Sequence, residues 1–74
     1  MHLNSKSMRG KTQIKVKGHI DKSWEEWFFG MNISYDEENS ILTGEIKDEA
    51  FMHGILNKIR DLGLILISIN PIID

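Results

Sequence analysis

The chain of 74 residues contains no cysteine and one proline. Without cysteine there is neither a disulfide scaffold nor a thiolate metal site, and the composition agrees with a cytoplasmic setting. Long apolar runs are missing too. The longest, Leu64 to Ile69, is interrupted by Ser68 and falls far short of the roughly 20 residues that span a bilayer. The N-terminal residues lack the continuous apolar stretch of a signal peptide. Charge of one sign is equally scarce: the net charge is -2 and the pI about 5.9, with acids and bases interspersed, so nothing attracts a polyanion. The basic start (Lys6, Arg9, Lys11, Lys15, Lys17) and the acidic Asp36, Glu37 and Glu38 read as a solvated tail and a polar turn.

The residue spacings of known chemistries are absent as well. No glycine-rich phosphate loop occurs, since Gly18 and Gly30 are isolated. No serine or threonine has an evident histidine base, and the carboxylates look solvated. No catalytic residue, metal ligand or cofactor is therefore expected. At this length a single core rarely supplies more than about 3–5 kcal/mol of net stability. With disulfides and metals set aside, oligomerisation is the remaining source of support.

What is present is a change of period along the chain. Residues 1–12 have none and read as a disordered N-terminal arm, leaving 13–74 as one domain. From Gln13 the pattern alternates: Ile14, Val16 and Ile20 on one side, Lys15, Lys17 and His19 on the other. The segment Asp21–Gly30 carries a capping-box spacing, Ser23 to Glu26, and then Trp24, Trp27 and Phe28 on one helical face. Phe29 lies off that face and marks a contact surface. Alternation resumes at Met31, Ile33 and Tyr35. A polar hairpin loop, Glu37 to Ser40, leads to Ile41–Lys47, where Gly44 repeats the inward glycine of Gly18 and suggests tight helix packing.

Asp48 then caps the best-marked helix. Met52, Ile55, Ile59 and Leu62 form its buried stripe, and Gly63 stands at its C′ position. The last strand, Leu64–Ile69, is apolar on both faces and stops at Asn70-Pro71.

The order β-α-β-β-α-β predicts an α+β, ferredoxin-like sandwich: a four-stranded antiparallel sheet with two helices on one face. In the order 4-1-3-2 the last strand lies at an edge, where a doubly apolar ribbon requires a cover. A homodimer is the expected cover, with Phe29, Ile65, Ile67, Ile69, Ile72 and Ile73 as candidate interface residues, through edge pairing or packing of open sheet faces.

His19, Asp21 and His53 are the polar candidates for a ligand or an interface, Asp21 being placed to orient the His19 imidazole. The strand and helix rises put the two histidines roughly 10–15 Å apart in one subunit, too far to share an ion. RNA binding by such a sheet needs outward aromatics on the central strands, where this chain has Lys15, Lys17, His19, Thr43 and Glu45. The first-loop arginine of acylphosphatases and the Cys-x-x-Cys of heavy-metal domains are also missing. Neither nucleic acid nor membrane is an expected partner.

The runs GHIDKSWEEWFFGMNI and LTGEIKDEAFMHGILNKIRDLGLILISI resemble a family of small uncharacterised prokaryotic proteins over about Ile14 to Ile69. The resemblance is carried by Gly-His-Ile-Asp at Gly18–Asp21, Trp-x-x-Trp-Phe at Trp24–Phe28, His53-Gly54-Ile55-Leu56 and Arg60-Asp61-Leu62-Gly63-Leu64. It implies no activity and no site residues, because none are established for that family. The expectation is a non-enzymatic module for protein interaction or self-association. The alternative is an ACT-like regulatory domain that holds a small metabolite at a dimer interface near Gly18–Ser23.

Overall fold

Alternating apolar residues place four strands in one sheet, β1 (Gly10–Lys17), β2 (Asn32–Asp36), β3 (Asn39–Ile46) and β4 (Leu66–Pro71), with one helix, α1 (Glu49–Asp61), on one face. This is a computed structural model, and it describes residues 10–72. The sheet order is β2-β3-β1-β4 with every neighbouring pair antiparallel, so β1 and β3 are central and β2 and β4 are edges. The fold is a small α+β unit with an open antiparallel sheet. β1 begins at Gly10 rather than Gln13, and Thr12, assigned from sequence to the arm, is buried. The rest of the expected arm, residues 1–9, lies outside the described residues, as does Ile73.

The ferredoxin-like layer of two helices does not form. Where the first helix was expected, Lys22–Glu25 make a four-residue 3-10 turn, followed by bonds of mixed span: the Phe28 amide donates to the Trp24 and Glu25 carbonyls, and that of Gly30 to Glu25. Asp21 is its N-cap, accepting from the Ser23 amide at 2.9 Å, so Ser23 is the donor rather than the cap. Glu26 closes no box. Its neighbour Glu25 accepts instead from the Ile33 amide of β2 at 2.9 Å. Ten residues rich in aromatics lack the length and propensity to sustain an isolated helix. Phe29 and Gly30 both adopt positive φ, 60° and 83°, which ends the turn. Of the three aromatics expected to pin this segment, only Phe28 is buried, while Trp24 and Trp27 are each 39% exposed.

The core gathers the inward residues of the strands (Ile14, Val16, Ile33, Leu42, Ile46), Ile20, Phe28 and Met31 from the first connection, and Met52, Ile55 and Ile59 from α1. The helix is built as its sequence indicates. Asp48 Oδ1 accepts from the Phe51 amide at 2.8 Å. At the other end the Gly63 amide donates to Arg60 and that of Leu64 to Ile59, with Gly63 at φ 73°, a Schellman ending. The β2–β3 connection is tighter than expected, a two-residue turn at Glu37 and Glu38 closed by the pair Asp36–Asn39. Gly44 is a close-approach position, but the group against it is the Met31 side chain and not a helix. Nothing crowds Gly18, whose φ of 95° is the reason for glycine there.

β4 is also corrected in detail. The register sets Ile69 opposite Ile14 and Leu66 opposite Val16, both partners buried, and sets Ser68 and Asn70 opposite Lys15 and Gln13. A bulge at this point makes Ile67 the extra residue. The register therefore puts Leu66 and Ile69 on the helix side and Ser68 and Asn70 on the open side, with Ile67 as the bulged residue between.

Candidate functional site

The chain's exit from β1 builds one concave surface. Gly18 turns the backbone, and Ser40, fully buried on β3, ties the turn down. Its hydroxyl donates to the Gly18 carbonyl at 2.6 Å and accepts from the Ile20 amide at 2.8 Å. Tyr35 on β2 donates its phenol to the Ile20 carbonyl at 2.6 Å, and its ring lies 4.7 Å from the His19 imidazole. His19 Nε2 is 2.7 Å from the Glu37 carbonyl oxygen. Since a carbonyl only accepts, Nε2 is the donor in this contact.

Beside this turn, His19, Ile20, Asp21, Trp24, Leu62 and Leu64 line an open cleft of about 330 Å³. Two of the three polar candidates from the sequence, His19 and Asp21, share it. Asp21 does not orient the imidazole as expected, because it caps the Ser23 amide; the Glu37 carbonyl and the Tyr35 ring do that. His53 is exposed on α1 and is not part of the cleft lining. Its lining combines an indole, Ile20 and two leucines with the Asp21 carboxylate and the His19 imidazole. Among the described residues no group of three or more His, Cys, Asp or Glu is placed to hold a metal ion.

The second surface is the β4 edge. Leu66, Ile67 and Ile69 are 42%, 46% and 38% exposed, and Ile65 just before the strand is 61% exposed. Ile72, at its end, is half-buried and donates its amide to Lys11 at 2.9 Å. Phe29 belongs elsewhere: its ring packs on Gly54 at 3.4 Å and on Phe51, 5.3 Å between centroids.

Sequence reasoning missed three contacts. Ser40 was assigned to a loop, and its inward register on β3 was the available signal. Lys58, in the last turn of α1, sits 3.7 Å over the Trp27 ring, a cation–π contact that depends on where the turn docks. Glu25 covers a β2 amide eight residues on, which no local pattern announces. No helix of the described residues is long and apolar enough to cross a membrane.

No curated protein and no solved structure matches the chain. A family model does match, over residues 11–70, from the start of β1 into β4, and the chain belongs to that family, the domain of unknown function DUF8691.

Proposed function

We propose that the protein is a non-enzymatic, cytoplasmic interaction module that associates through its β4 edge, with its own copy as the first partner. The observation that carries this reading is the exposure of Leu66, Ile67 and Ile69 on an edge strand, with exposed Ile65 just before it. An edge presents unpaired amides and carbonyls, and β4 carries no charged residue, with the bulge at Ile67 and Pro71 blunting part of its length. The small core adds to the reading, since burying those side chains contributes roughly 25 cal/mol per Å² of apolar surface removed from water. A non-enzymatic role is supported by the commitment of His19 to a backbone carbonyl and of Asp21 to a cap.

Light scattering of the size-separated protein tests it. The wild type is expected as a dimer at micromolar concentration and the Ile67→Lys variant as a folded monomer. A wild type that stays monomeric at millimolar concentration overturns self-association.

A second reading, the ACT-like regulatory domain, is favoured by the cleft at the first loop, with His19, Asp21 and Trp24 at its wall. Thermal shift against amino acids and nucleotides tests this one: a ligand at about 100 times its Kd adds about 2.7 kcal/mol of stability, and the gain is expected to disappear in His19→Ala. An unshifted melting curve across the panel removes it.

A further inference from the structure

The cleft at the exit of β1 has a sign. With histidine neutral, Asp21 is the one charged side chain in its lining, and neither lysine nor arginine contributes to the wall. The turn holds this carboxylate in place, since Oδ1 accepts from the Ser23 amide at 2.9 Å. An ionised carboxylate accepts on two oxygens, so capping one amide leaves capacity for a second donor. Among the described residues the only ion pair is Lys15–Asp36, and no base pairs with Asp21.

Two further features of the wall favour a cation. Leu62 is the C-cap of α1, and the carbonyl end of a helix carries partial negative charge. Trp24, exposed beside it, presents the ring type that attracts cations most strongly. Its neighbour Trp27, 5.8 Å away and edge-on, already has such a partner in Lys58. Among the described residues no lysine or arginine stands over the Trp24 ring. The remaining wall, Ile20, Leu62 and Leu64, is apolar, and His19 has its Nε2 engaged by the Glu37 carbonyl.

We infer that the cleft binds a small organic cation, a primary ammonium on an apolar or aromatic body, with the ammonium at Asp21 and the body against Trp24 and the two leucines. The inference rests on the second reading above, a small ligand at this cleft, and names the chemistry of that ligand. A volume of about 330 Å³ lies at the lower end of ligand sites, which run from about 300 to 1,000 Å³, and fits a simple amine rather than a nucleotide. A carboxylate or phosphate would meet Asp21 and the carbonyl end of α1 with no cation in the wall to offset the repulsion.

Three compounds of similar shape and different charge test this on the full-length chain: phenethylamine, phenethyl alcohol and phenylpropionate. Each is titrated above neutral pH into isotope-labelled protein, and the backbone amide and indole N–H resonances are followed by NMR. The amine is expected to give saturable shifts at His19, Asp21, Trp24, Leu62 and Leu64. The alcohol should bind about tenfold more weakly for want of a charged hydrogen bond, and the carboxylate should give no shift. Asp21→Asn removes the charge and keeps the cap, since asparagine caps as well as aspartate; it is expected to reduce the amine to the affinity of the alcohol. Equal or tighter binding of the alcohol or the carboxylate, an unweakened Asp21→Asn, or shifts confined to other surfaces overturn the cation assignment. If the amine fails while a compound of the metabolite panel stabilises the protein through the cleft, the ligand reading stands and the cation assignment falls. If neither binds, both fall.

Discussion

Ser40 carries two buried hydrogen bonds with one hydroxyl. Ser40→Ala leaves the Gly18 carbonyl and the Ile20 amide without that partner, and buried groups left unmade cost about 1–3 kcal/mol. Urea denaturation is expected to show a loss of that size. Two glycines should respond with opposite signs. A Cβ at Gly44 would lie 2.9 Å from Met31 Cγ, so Gly44→Ala overpacks the sheet face and costs about 1–3 kcal/mol. At Gly54 the nearest atom is the Phe29 ring at 3.4 Å, an ordinary contact, and replacing a mid-helix glycine with alanine gains about 0.5–1 kcal/mol. Chemical denaturation of both variants checks the pair. The inward glycine of β3 was legible as a close approach because alternation identified its face; the approaching atom belonged to another segment and was not.

At the scale of elements, α1 and the first connection form a contrast. The helix has 13 residues, a regular apolar stripe and both caps in its own sequence, so local terms and tertiary packing agree. Asp48→Ala should lower stability by about 1 kcal/mol, the usual cost of an N-cap. Ser23→Ala, by contrast, is expected within about 0.5 kcal/mol of wild type, since the Ser23 side chain is not the cap and Asp21 is. Thermal melts of the two variants make the comparison. The capping-box spacing at Ser23 and Glu26 was present in sequence, yet Asp21 takes the cap, and a turn this short follows its tertiary contacts rather than its own signals.

For the molecule as a whole, one helix and one turn cover a four-stranded sheet incompletely, and the uncovered part is β4. If association through β4 contributes to stability, Tm rises with protein concentration by mass action, and Ile67→Lys abolishes the rise. Differential scanning calorimetry over a dilution series measures this; a Tm independent of concentration in the wild type counts against association. The effect should vary little with added salt, because no charged residue lies in β4 and screening acts on charges.

The sequence by itself determined the four strands, the long helix with its ends, and the apolar character of the last strand. Those follow from period, capping and composition, which are properties of neighbours along the chain. The tertiary structure alone decided that the Trp24–Phe28 segment is a turn with its indoles exposed, that Lys58 lies over Trp27, and that His19 and Asp21 share a cleft without His53. It also decided that a bulge at Ile67 sets both Leu66 and Ile69 opposite buried residues of β1. Each of these depends on which groups meet across the sheet, and a register shift of one residue moves a side chain to the other face, which no local pattern records.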